Sequence, residues 1–164
     1  TDDVKVLGVD PGTAVTGYGI VERNGNGGPE GRFGHLIECG VIRLPRTGKL
    51  EVRLAELYGG IVELIARHRP THLALEDAFY HKNVRTTLVL GHARGVVLLA
   101  AAQQGVIIAE YSPARIKKTV VGAGGAPKAQ VAAMVARLLR LRTAPKPSDA
   151  ADGVAVALTH IIRS

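Results

Sequence analysis

Four carboxylates stand out among the 164 residues because of where they fall. Asp10 ends the apolar run VKVLGVD and is followed by Pro-Gly-Thr; Glu76 ends the run HLALE; Asp149 and Asp152 open the stretch SDAADGVAVALTHII. A strand alternates its side chains between two faces, so Asp10 shares a face with Gly8, and Glu76 with Ala74. Each acid therefore closes its strand above a small residue that leaves space beside it. Asp149 and Asp152, three apart, project from one face of a helix start. If the two strands are neighbours and that helix packs on them, four acids meet in one place. Anions at close range repel unless a cation binds, and oxygen donors alone select a hard divalent ion such as Mg2+ or Mn2+. In a basic protein such a cluster suits phosphodiester hydrolysis with two ions roughly 3.5–4 Å apart. Single members have plainer explanations. Asp-Pro-Gly-Thr is good turn chemistry, and acids in a first turn offset the helix dipole. Neither explains Glu76, which no turn residue follows.

The elements that must position these acids are legible from periodicity. Strands are expected at Val4–Val9, Thr16–Glu22 and Gly34–Leu44, an antiparallel meander with a Gly-rich hairpin tip at residues 24–32. Leu54, Leu57, Ile61, Leu64 and Ile65 give a helix over Leu50–Arg69, stopped by Pro70. HLALE is a short buried strand, followed by a long helix over Val84–Gln104 and a strand at VIIAEY. Helices follow at Pro113–Val120 and Lys128–Leu141, and a last one starts with Ser148 as its N-cap. A meander followed by alternating strands and helices predicts an α/β domain, a mixed sheet covered by helices, over residues 1–164.

Charge is distributed unevenly. Residues 1–77 hold nine Lys/Arg against eleven Asp/Glu, and residues 78–164 hold twelve against three. Between Tyr111 and Ser148 there are eight bases and no acid. A solvated basic face is the ordinary reading of such a run; its one-sidedness favours a polyanion, and nucleic acid is the commonest. Lys117 and Lys118, then Gly122, Gly124, Gly125 and Lys128, suit a phosphate: glycines admit the backbone closely and lysines supply charge. Cys39 has no second Cys to pair with, and the six His show no zinc spacing. No run approaches a membrane span and no leader segment opens the sequence, so a cytoplasmic location is expected. The stretch LVLGHARGVVLLAAA is apolar almost all round, with Gly91 and Gly95 forming a flat strip, which predicts a twofold homodimer.

Five stretches carry a resemblance. LGVDPGTAVTGYGI, LALEDAFYHKN, LGHARGV, EYSPARIKKTVVGAGGAPKAQV and DAADGVAVALTH, in that order from about Val6 to His160, resemble motifs of the RuvC family, bacterial Holliday-junction resolvases. The resemblance implies a ribonuclease-H-like fold, a mixed five-stranded sheet (antiparallel meander plus two parallel strands) flanked by helices. It also implies a Mg2+-dependent crossover junction endodeoxyribonuclease that makes paired nicks in four-way DNA junctions during recombination and repair. The family's metal ligands fall on Asp10, Glu76, Asp149 and Asp152, the four acids already singled out. Its DNA-contacting residues point to Lys117 and Lys128, and to Phe79 over Tyr80 as an aromatic that stacks on an unpaired base. Its partners are a second copy and the RuvA–RuvB branch-migration machinery.

Three positions depart from the pattern: Gly153 stands where the family usually has Ala, His92 where Gln is common, and the tip at 24–32 is longer. Asp77 adjoins Glu76, but alternation sends it to the opposite face, so it is not counted as a ligand. The Asp-x-Gly-Thr turn also resembles the phosphate loop of actin-like and sugar-kinase ATPases, which need two such domains. A non-catalytic branched-DNA binding module would explain the basic half without needing four converging acids.

Overall fold

The computed structural model describes residues 3–25, 31–45, 47–77 and 82–164. Phe79, Tyr80 and the middle of the hairpin tip, residues 26–30, lie outside the described residues.

Five strands form one sheet: β1 (Val4–Asp10), β2 (Val15–Arg23), β3 (His35–Arg43), β4 (His72–Glu76) and β5 (Ile107–Tyr111). Their spatial order is β3-β2-β1-β4-β5. The first three pair antiparallel, while β4 joins β1, and β5 joins β4, in parallel. This is the mixed sheet that the sequence predicts. Parallel neighbours need a crossover, and α1 (Leu50–His68) and α2 (Val84–Gln103) supply the two here.

Alternation along the central strands divides the core. Leu7 and Val9 of β1, with Leu73 and Leu75 of β4, pack against Leu57, Ile61 and Leu64 of α1 and Ala93 and Val97 of α2. Val6 and Ala74 face the other way, toward α3 (Pro113–Val120), α4 (Lys128–Leu138) and α5 (Ser148–Arg163). All these side chains are buried, so a slip of one residue in either strand would expose a full apolar set.

The α5 face is packed backbone against backbone. Gly8, Gly17 and Gly19 leave β1 and β2 bare where α5 crosses, and a Cβ on any of them would run into Gly153, Asp149 or Val154. Gly153 completes the contact, since a Cβ there would stand 2.5 Å from Tyr18 Cα. Its presence in a helix interior, a propensity loss of about 1 kcal/mol, thus has a packing reason.

Several boundaries move. The sequence pattern carries α4 to Leu141, but the helix ends at Leu138. Arg140 takes a positive φ of 58°, its N–H returning to Arg137 O and that of Leu141 to Ala136 O. This is a Schellman ending without the usual glycine, and it hides the stop in an apolar run. Ser148 is the first residue of α5 and not its cap, because the Pro147 carbonyl already accepts from Ala150 N–H at 2.9 Å. The expectation that no run reaches a membrane span also needs correction. By length and mean hydropathy α2 does reach one, although it buries Ala93, Val97, Ala100 and Ala101 within this fold.

Candidate active site

Register places the first two acids. Val9 of β1 lies opposite Leu75 of β4, so the next residues, Asp10 and Glu76, emerge side by side at the C-terminal edge of the sheet. They share the α5 face with Gly8 and Ala74, which is buried beneath them. The seam of glycines then fixes α5, and with it Asp152, over the same edge.

Asp10, Glu76 and Asp152 line one cleft of about 210 Å³ with Lys117 of α3 and Lys128 of α4. Ile116, Val131, Pro113 and Ala155 complete its walls, so ionisable groups sit in an apolar setting. Burial pushes the Asp10 carboxyl far above its ordinary range, and the hydrogen bond its protonated form donates to Glu76, with the negative charges of Glu76 and Asp152, pushes it further. Burial also raises Asp152, against the opposing pull of Lys128, whose ammonium lies 2.8 Å from Asp152 Oδ2. The bond to Asp152 in turn holds the Lys128 ammonium above its usual value. Asp149 does not line the cleft; it is half-buried on the first turn of α5, close enough to act on Asp152 and Lys128 through its charge. Among the described residues, no three His, Cys, Asp or Glu side chains are already gathered around a single point.

The basic residues divide. Lys117 and Lys128 line the cleft, whereas Lys118, its neighbour on α3, is exposed and points elsewhere. Asp77 lies on the opposite face, as alternation requires, 3.4 Å from Arg94 of α2. Arg94 also pairs with Glu110 of β5 and so ties the ends of β4 and β5 together behind Glu76. That tie was not legible in the sequence, where Arg94 is one polar residue in an apolar helix. The apolar walls were also missed, because Pro113, Ile116 and Val131 read as ordinary helix residues.

A five-stranded mixed sheet, with acids at the edge of its two central parallel strands and a third on the helix crossing them, defines an α/β protein of the ribonuclease-H-like class. The profile of the family described as "Crossover junction endodeoxyribonuclease RuvC" matches residues 6–160. The chain belongs to the RuvC family. It is 51% identical to the crossover junction endodeoxyribonuclease RuvC of Halorhodospira halophila, over 95% of this chain and 89% of that one. It is 53% identical to that of Pelotomaculum thermopropionicum, over 94% and 91%. Among solved structures, Thermus thermophilus RuvC in complex with a Holliday junction substrate superposes with a TM-score of 0.89 at 32% identity, over 98% of this chain and 94% of that one. The yeast mitochondrial Holliday junction resolvase Ydc2, at 14% identity and a TM-score of 0.67, shares the fold, over 96% and 77%.

Proposed function

We propose that this protein is a structure-selective endodeoxyribonuclease that resolves four-way DNA junctions with paired cuts, using Asp10, Glu76, Asp149 and Asp152 to hold two Mg2+ ions. Family membership supports the reaction class, and the observation that carries the site is the crowding at Asp10. Two carboxyls there approach closely enough to hydrogen-bond, which two ionised carboxylates do not do. The donor set fits a hard divalent cation: every candidate donor is a carboxylate oxygen, and the cleft already binds one cation, the Lys128 ammonium. Bound there, Mg2+ or Mn2+ supplies Lewis acidity at the phosphoryl group.

The rest of the work falls to the chain itself. Ile116, Val131 and Ala155 wall the cleft beside the acids, which strengthens the charge interactions of the buried Asp10. Lys117 and Lys128 draw the phosphodiester backbone toward the carboxylates. In this reading Lys128, now paired with Asp152 at 2.8 Å, turns to a phosphate when the strand binds. Lys118 contributes screened charge from outside the cleft, and Phe79, outside the described residues, stacks on a base at the branch point.

The partners in this reading are junction DNA, a second copy and the RuvA–RuvB proteins; the last rests on family membership alone. The second copy has support on α2, where Val84, Leu88 and Leu99 are 73%, 59% and 52% exposed. Between them, a Cβ on Gly91 or Gly95 would touch nothing within 4 Å. A partner helix can approach that strip closely, and a twofold dimer offers two active sites to a junction of matching symmetry.

Incubation with a synthetic four-way junction tests the reading. Paired, ligatable nicks are expected with Mg2+ or Mn2+, and binding without cutting in EDTA. Binding without cutting under every metal condition would overturn the nuclease assignment in favour of a branched-DNA binding module.

A further inference from the structure

A second cationic pocket lies at the same edge of the sheet, on the face that carries α1 and α2. Thr13 and Ala14 of the β1–β2 turn, Arg53 of α1, and Arg85, Thr86 and Val89 of α2 line about 260 Å³. Two guanidinium groups and two hydroxyls converge there with no carboxylate among the lining residues.

Neither arginine is placed as its own helix prefers. Arg85 is the second residue of α2, where the helix dipole disfavours a cation, and the first turn holds no acid to offset it. It is exposed, and no ion pair to it is found among the described residues. Arg53 donates one guanidinium N–H to the Thr13 carbonyl, while its buried Nε has no hydrogen-bond partner among the described residues. A buried donor of this kind is expensive unless something accepts from it. An anion in the pocket would satisfy Arg53 and Arg85 together.

Position identifies the anion. Thr13 is three residues from Asp10, at most about 10 Å of chain, or roughly three nucleotides of duplex rise. Lys117 and Lys128 flank the acids on the α5 face, and the arginine pocket flanks them on the other. We infer that Thr13, Arg53, Arg85 and Thr86 form a binding site for a backbone phosphate of the strand being cut. The site lies across the acids from Lys117 and Lys128, so the scissile strand is held on both sides of the bond that breaks. The inference rests on the proposed nuclease function and adds the path of the strand.

Arg85→Ala is the informative variant, because an exposed side chain with no ion pair among the described residues can be removed without disturbing the fold. With unchanged thermal stability, it should bind a four-way junction about tenfold more weakly, at every cleavage sequence tried. The slope of log affinity against log salt should also fall by about one phosphate contact. Neutral methylphosphonates, placed singly within three nucleotides of the cut, should include one that weakens the wild type and has little further effect on Arg85→Ala. Wild-type affinity and salt slope in Arg85→Ala, or losses that simply add at every position, would overturn the site while wild-type cleavage leaves the nuclease reading standing. Failure of the wild-type protein to bind or cut junctions would overturn both.

Discussion

Two groups of ionisable side chains lie on opposite faces of this sheet, and they are built on opposite principles. On the α1 face, Glu38 of β3 accepts from Tyr18 Oη at 2.7 Å and from Arg67 at 2.8 and 3.1 Å, and lies 2.9 Å from His68 Nε2. Desolvation works to raise that carboxyl, but the bonds from Tyr18 and His68 and the charge of Arg67 prevail and hold it below its ordinary value. Tyr18 is pushed up to about 12, by burial and then by its bond to Glu38. On the α5 face, Asp10 has an acid as its hydrogen-bonding neighbour and is driven upward. Charge satisfied from within marks a structural network; charge left in conflict marks a place where something else is meant to bind.

Removing an acid from each group gives the largest contrast. Asp10→Asn, Glu76→Gln, Asp149→Asn and Asp152→Asn should each lower single-turnover cleavage about 100-fold or more while junction binding persists. Glu38→Gln should leave the cleavage rate within about twofold. Near-wild-type cutting by any of the four would remove that residue from the site.

Thermal unfolding without divalent metal should reverse the ranking. Asp10→Asn relieves a buried anionic conflict and should raise the melting temperature by about 2–8 °C, whereas Glu38→Gln breaks a satisfied network and should lower it by a few degrees. Added Mg2+ should stabilise the wild type and do less for Asp10→Asn. A fall in the melting temperature of metal-free Asp10→Asn would show that the conflict at this edge is not the one described.

Acid titration isolates the satisfied network. Because the folded Glu38 carboxyl is held below its unfolded value, its contribution is present above the ordinary glutamate range and fades as pH falls through the depressed value. The stability lost on acidification should therefore be smaller in Glu38→Gln than in the wild type, by under about 1 kcal/mol for a partly exposed network. Parallel curves for the two proteins would remove Glu38 as an anchor.

The smallest effect separates neighbouring lysines. Lys117→Ala should slow cleavage and flatten the salt dependence of binding, while Lys118→Ala should alter only the salt dependence, and slightly. Equal losses of rate would place both side chains in the cleft.

Local rules carried much of this into the sequence. Alternation placed Asp10 with Gly8, Glu76 with Ala74 and Asp77 on the other face, because a strand's period of two survives any packing. Periodicity could not show that α4 stops three residues early, since Arg140 takes its positive φ without a glycine to announce it. Gly153 read as a weak helix residue because its reason lies on another element, at Tyr18. Arg53 and Arg85 were unreadable for the same cause: only the assembled turn, α1 and α2 bring them to one pocket.

The glycine seam under α5 also bears on how such a protein can change over generations. An ordinary helix–sheet contact can trade bulk, a larger side chain on one side being balanced by a smaller one opposite. Where Gly8 and Gly17 meet main chain, there is no bulk to give back, so a side chain introduced there faces no side chain whose trimming would make room. The spacing between Asp152 and the acids of the sheet is inherited as a main-chain dimension, indifferent to which side chains come and go around it.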